Sequence, residues 1–325
     1  MKTIVLFKFL FLPFIVILPA SQPSQSSSTT TGIFAGTSLC ADVSRPLLNI
    51  PRDAQCDRTK WNLTLYTDQR TQAPTTYKLS SEYGYHIDNR TLVMKGSNVR
   101  EGKWATVKGA KADPNATVYQ LDPGNPQMTI SFQVIDSNLI HLLERDGSLV
   151  IGSAAQSFTL SRIDKHGDMT DSHASVPVKS SARPPSTGNS GPMSVFGGRT
   201  PCREVAAQLN HPVGADCFKL KWGLTLFRDP KTLKPTTFKL RGTLFRDFNR
   251  DGRWSILQGR LDDPNATLYK LDLDKNEGTL LLLKADDNIL FFLHNDRTLM
   301  VGNHDFSYTL NREKQAVQKT SVSAQ

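Results

Sequence analysis

The chain has 325 residues, 38% hydrophobic and 21% charged, which supplies apolar material for two cores and excludes collagen, a coiled coil or wholesale disorder. The 39 Lys plus Arg exceed 30 Asp plus Glu for a formal charge of +9, nearer +7 without Lys2 and Lys8. That excess is too mild to indicate a nucleic-acid partner.

Residues 1–20 read as a signal peptide, with Lys2 at the start, an apolar stretch from Ile4 to Leu18, and Ala20 as the small residue at the cut. Residues 21–31 follow as a Ser/Thr-rich spacer. The first cysteine is Cys40, so the chain is not an obvious lipoprotein, and no membrane span is expected after signal cleavage. Export, to the periplasm or beyond, would place all four cysteines where disulfides persist.

From residue 32 the chain is written twice. Lys60-Trp61-Asn62-Leu63-Thr64-Leu65 recurs as Lys221-Trp222-Gly223-Leu224-Thr225-Leu226, an offset of 161. After Leu79 the offset falls to 150, because copy one carries 11 extra residues before Gly102. Gly102-Lys103-Trp104 then matches Gly252-Arg253-Trp254, and Asp113-Pro114-Asn115-Ala116-Thr117 matches Asp263-Pro264-Asn265-Ala266-Thr267. The units are residues 32–164 and 195–313, joined by a Pro/Ser/Gly-rich segment, 165–194, whose composition is that of a flexible linker. Residues 314–325 read as a disordered tail. Within each copy, about eight short alternating segments separated by Asp, Asn and Gly clusters predict an antiparallel meander, closing as a barrel or a sandwich.

Gly36 to Asp42 around Cys40, a later Cys56, Leu63-Thr64-Leu65 with Asp68, Gly102-Lys103-Trp104, Asn138 to Gly147 and Phe158-Thr159-Leu160 resemble, in order, the N-terminal domain of NlpE-like bacterial envelope proteins. Copy two repeats the series with Thr200-Pro201-Cys202, Cys217, Leu224-Thr225-Leu226, Gly252-Arg253-Trp254, Asn288 to Asp296 and Tyr308-Thr309-Leu310. The resemblance implies an all-β chain of two tandem lipocalin-like antiparallel β-barrels, non-enzymatic and associated with copper handling, adhesion sensing and envelope stress. Two features depart from the family. Its Cys-x-x-Cys is replaced by pairs with 15 and 14 intervening residues, and its lipid-attachment cysteine is missing.

The four cysteines allow three connectivities, and the repeat symmetry selects Cys40 with Cys56 and Cys202 with Cys217 as structural disulfides. Asp247, Asn249 and Asp251, ahead of Gly252, have the spacing of half a calcium loop, but position twelve is Gln258 rather than a bidentate Glu; a hairpin turn is the plainer reading. His294 and His304 could face each other across strands of copy two, whereas His141 is matched by Phe291, and scattered histidines are ordinarily surface polarity. His166 and His173 lie in the linker. No Ser-His-Asp, paired-carboxylate or phosphate-loop set recurs in both copies, so neither catalysis nor a cofactor is expected. Asn62, Asn89, Asn115 and Asn265 head glycosylation sequons, and the repeated Asp-Pro-Asn-Ala-Thr reads as a turn entering a strand.

Charge is uneven in copy two. Lys219 to Arg260 holds 11 basic and 3 acidic residues, and Leu261 to Glu313 holds 5 basic and 10 acidic. A basic wall would suit an anionic envelope component or an acidic protein partner. The expectation is therefore a non-enzymatic exported binding or sensing module, with metal handling as the alternative. A filled barrel with a basic face favours a macromolecular partner, an apolar cavity favours a small ligand, and free thiols favour metal.

Overall fold

The computed structural model describes residues 28–88, 91–165, 192–245, 249–273 and 278–313. The stretch read as a signal peptide, nearly all of that read as a linker, that read as a tail, Asp247, His166 and His173 lie outside them, and Met193 and Ser194, read as linker, begin a strand. The first barrel comprises β1 (Ser28–Leu39), β2 (Arg58–Asp68), β3 (Pro74–His86), β4 (Leu92–Lys108), β5 (Thr117–Leu121), β6 (Ile130–Val134), β7 (Leu139–Leu142) and β8 (Thr159–Arg162). The second comprises β9 (Met193–Thr200), β10 (Leu220–Arg228), β11 (Pro235–Gly242), β12 (Asn249–Gln258), β13 (Thr267–Leu273), β14 (Thr279–Lys284), β15 (Ile289–Leu293) and β16 (Thr309–Arg312). Each strand pairs antiparallel with its sequence neighbours, and the last pairs with the first, so both sheets close. Closure removes the open edges that a sandwich would leave. β1 starts inside the stretch read as spacer, because Ser28 to Thr30 pair with Tyr66 to Asp68 of β2.

The period-two pattern sets the inside. Trp61, Leu63 and Leu65 point into barrel one and Trp222, Leu224 and Leu226 into barrel two, each within the core of its own barrel. Trp61 and Trp222 are only 3% and 4% exposed, and each indole N–H donates to a hydroxyl at an equivalent place, Ser38 Oγ at 2.9 Å and Thr200 Oγ1 at 2.8 Å. Trp104 and Trp254 likewise donate to the carbonyls of Tyr66 and Phe227. All four large rings are therefore buried without orphaning a donor.

The repeated Gly-x-Trp also has a steric cause. A Cβ on Gly252 would stand 2.1 Å from the Asp272 carbonyl and 2.8 Å from the Phe238 ring, and one on Gly102 would stand 2.0 Å from the Asp122 carboxylate. Only glycine lets the neighbouring strand approach so closely.

One end of each barrel carries a short helix, α1 (Ser44–Leu47) and α2 (Arg203–Gln208). Leu48 and Ile50 after α1, and Val205 and Leu209 around α2, insert into the two cores as plugs. The 11-residue insertion lengthens the β3–β4 hairpin, whose pairing runs from Tyr83 opposite Gly96, across a bulge that leaves Gly84 opposite Met94, to His86 opposite Leu92. It leans on the plug loop through Asn98, whose amide donates to the Leu48 carbonyl.

The barrels pack on each other through outer faces. Val118, Leu139, Leu143 and Leu149 of barrel one join Leu268, Leu283, Ile289, Phe291, Leu293 and Leu299 of barrel two in one buried apolar cluster. Equivalent residues meet across it: His141 faces Phe291 with ring centroids 6.0 Å apart, and the Thr159 and Thr309 hydroxyls are 3.0 Å apart. Gly152 N donates to Asn311 Oδ1, and the equivalent Gly302 N donates to Ser161 Oγ, the residue matching Asn311. Such reciprocity is the mark of a two-fold, isologous interface, here between two halves of one chain.

Candidate functional site

The structure pairs Cys40 with Cys56 and Cys202 with Cys217, with Cα separations of 5.7 Å and 6.0 Å, and among the described residues no cysteine is free. Each bond ties the end of a barrel's first strand to the segment entering its second, closing the loop that carries the plug helix. All four sulfurs are thereby withdrawn from thiolate chemistry.

The other metal candidates do not converge. Asn249 and Asp251 lie in β12, where Asn249 is opposite Arg241 and Asp251 opposite Lys239. An extended strand cannot wrap oxygens around one ion, so neither a calcium loop nor a tight turn exists at these two positions. His294 Nε2 lies 3.3 Å from Glu204 Oε2 of the α2 plug, and this carboxylate raises its pKa. His304 is exposed in the β15–β16 connection, and its carbonyl accepts from Thr37 of barrel one. No group of three or more His, Cys, Asp or Glu that could hold a metal occurs among the described residues.

His141 is not surface polarity. It is fully buried at the barrel–barrel interface, with Nε2 2.9 Å from the Val150 carbonyl and Nδ1 2.9 Å from Thr159 Oγ1. The carbonyl only accepts, so Nε2 carries the proton and the Thr159 hydroxyl donates to Nδ1. Thr309 then donates to Thr159, and Ser307 donates to Thr309, giving a directional chain of hydroxyls across the interface. Desolvation pushes the His141 pKa down to about 4.

A half-buried network, unforeseen from sequence, joins Tyr77 to Asp122 at 2.6 Å and Asp122 to Arg100 at 2.6 Å. Burial, followed by the Asp122 hydrogen bond, raises the Tyr77 pKa. Every member is occupied with another, which suits a brace between β3, β4 and the β5–β6 connection rather than a nucleophile.

The barrel interiors are filled. Tyr77, Phe132, Phe238, Phe292 and Tyr308 are among their fully buried side chains, and a void beside the barrel-one plug measures only 10 Å³, room for a single water. A larger cleft of 290 Å³ opens at the mouth of barrel two, opposite the plug, lined by Ser194, Phe196, Leu226, Arg228, Leu233, Tyr269, Asp287 and Arg312. Arg228 stacks over Trp254 at 4.6 Å and donates to the Leu233 carbonyl. Lys284 bonds Asp287 at 2.7 Å, and this pairing, then the charges of Arg312 and Arg228, hold the Asp287 carboxyl below its usual range.

The basic residues of copy two do form a face. Register places Arg199 opposite Lys221 and Gly223 opposite Arg241, with Thr225 opposite Lys239, all on the outward side of β9–β11, and Arg253 stands outward on β12. At the seam with barrel one, Arg58 joins the group. Burial, then the charge of Arg199, lower the Arg58 pKa, with Asp305 and Asp57 opposing; burial, then Arg199 and Arg58, lower that of Lys219. The seam thus gathers like charges from both barrels. Only the grouping of residues 219–260 by charge foreshadowed it; the contribution of Arg58 carried no sequence signal.

No helix among the described residues is long and apolar enough to cross a membrane. No family model, no curated protein and no solved structure matches the chain.

Proposed function

We propose that this chain is a non-enzymatic, exported binding module of NlpE-like barrels whose partner is an anionic polymer of the cell envelope. The observation that carries the reading is the basic face: Arg199, Lys221 and Arg241 stand together on β9–β11, and Arg58 and Lys219 crowd its edge despite mutual repulsion. Like charges gathered on a surface disfavour the free protein and are relieved by a polyanion, whose approach they also steer. The packed barrel cores leave the outer walls as the surface for a polymer. The two disulfides fit an oxidising compartment, and they leave the alternative, copper or other metal handling, without a thiolate ligand.

The test is binding of the full chain to dextran sulfate, with neutral dextran as control, at about 0.15 M salt, where charges beyond about 8 Å are screened. Dextran sulfate should bind and neutral dextran should not, and Lys221→Glu with Arg241→Glu should weaken the interaction roughly ten-fold. Equal binding by wild type and the double variant would remove the basic face from the proposal.

A further inference from the structure

The two repeats place an arginine at the same point of their mouths, Arg162 in β8 and Arg312 in β16, but surround it differently. In barrel one, Arg162 meets a carboxylate two residues on in a bidentate pair, Nε to Asp164 Oδ1 at 2.8 Å and Nη2 to Oδ2 at 2.9 Å, and its side chain is only 13% exposed. By the 150-residue offset, the position matching Asp164 is Lys314, which lies outside the described residues. Arg312 is exposed, meets no carboxylate in hydrogen-bonding contact among the described residues, and donates to the Asp287 backbone carbonyl at 3.2 Å. A second guanidinium, Arg228, replaces Thr67 of copy one at this mouth, and Leu233 replaces Gln72. Below them the cleft is floored by Phe196, Leu226 and Tyr269.

The structure assigns the mouth of barrel two as a binding site for a small aliphatic carboxylate. The headgroup takes the place on Arg312 that Asp164 occupies on Arg162, Arg228 supplies the second cation, and the tail lies on Phe196, Leu226 and Leu233. Planar guanidinium forks match a carboxylate in this way, and Arg228 is already oriented by stacking on Trp254. Asp287 is the one acidic side chain lining the cleft, and its pairing with Lys284 leaves the local balance positive. The site is separate from the outer basic face and stands or falls without it.

The probe is octanoate, titrated calorimetrically into the full chain, with octylammonium as the same tail bearing the opposite charge and acetate as the same headgroup without the tail. Octanoate should bind at one site, octylammonium should not bind there, and acetate should bind far more weakly. Arg312→Gln and Arg228→Gln should each weaken octanoate roughly ten-fold, the loss expected for a hydrogen bond to a charged group. Lys221→Glu, on the outer face, should leave it unchanged. Arg312 is exposed and its replacement is compatible with folding, which an unchanged thermal midpoint verifies. Absence of saturable binding, equal binding of octanoate and octylammonium, or undiminished binding by the Arg228→Gln/Arg312→Gln double variant would each overturn the assignment.

Discussion

Lowering the pH from 7.5 to 4 should strip stability from the barrel–barrel interface through one residue, His141. The ring is wholly desolvated, its Nδ1 is committed as an acceptor from Thr159, and Phe291 covers it, so the folded chain resists its protonation until about pH 4, against 6.5 for the free side chain. Above 6.5 neither state carries the proton and His141 contributes no pH dependence. As the pH falls from 6.5 towards 4, the unfolded chain binds a proton that the folded chain refuses, and stability drops by about 1.4 kcal/mol per pH unit. The loss totals roughly 3 kcal/mol near pH 4 and is constant below it, where both states are protonated. The comparison is with His141→Phe, which installs the residue that copy two carries at the equivalent place, Phe291. Phe gives up the bond to the Val150 carbonyl, costing about 1 to 2 kcal/mol at neutral pH, while Thr159 keeps Ser157 and Thr309 as partners. Urea denaturation of both proteins from pH 8 to pH 4 should therefore show wild type ahead at neutral pH and behind at pH 4. Asp136 and Asp286, whose pKa values burial raises, and His294 titrate in both proteins and cancel in the difference. A stability difference that stays flat across this range would refute the reasoning.

Other substitutions test the remaining architecture. A protease site placed between residues 165 and 192 and cut in the folded chain should leave the halves as one particle in size-exclusion chromatography; with Phe291→Asp, which buries a charge among Leu139, Leu143 and Leu149, they should separate. Gly252→Ala should cost about 1 to 3 kcal/mol by thermal denaturation, since its Cβ must displace the Asp272 strand, whereas Gly223→Ala, whose Cβ meets only the Arg241 Cβ at 3.9 Å, should cost under about 1 kcal/mol. Replacing Cys202 and Cys217 together by Ala should lower stability by about 3 kcal/mol, the loop-closure value for a separation of 15, with α2 detaching first in hydrogen exchange.

The strands, their faces and the cysteine pairing were legible because each is written locally and written twice. Alternation about Trp61 and Trp222 determines which side chains share a face whatever closes the sheet, and repeat symmetry reduces three disulfide connectivities to one. The turn at Asp113-Pro114-Asn115 and its copy is also local: in each, the Asp carboxylate accepts from the Asn backbone N–H two residues on. The barrel–barrel interface left a fainter trace. Leu280 to Leu283 and Ile289 to Leu293 run apolar without alternation, as strands buried on both faces must, yet a run of leucines does not name what covers it.

Tertiary structure decided the rest, because those features depend on residues brought together from far along the chain. Closure into barrels rather than a sandwich rests on β8 reaching β1 and β16 reaching β9. His141 became a buried interface group because Phe291 lies across from it, not because of its own neighbours in sequence. Asn249 and Asp251 had the spacing of a calcium loop and were drawn into a strand by pairing with β11, which no local pattern overrides. Arg312 differs from Arg162 in meeting, among the described residues, no carboxylate in hydrogen-bonding contact, and that it shares a cleft with Arg228 follows only from the fold.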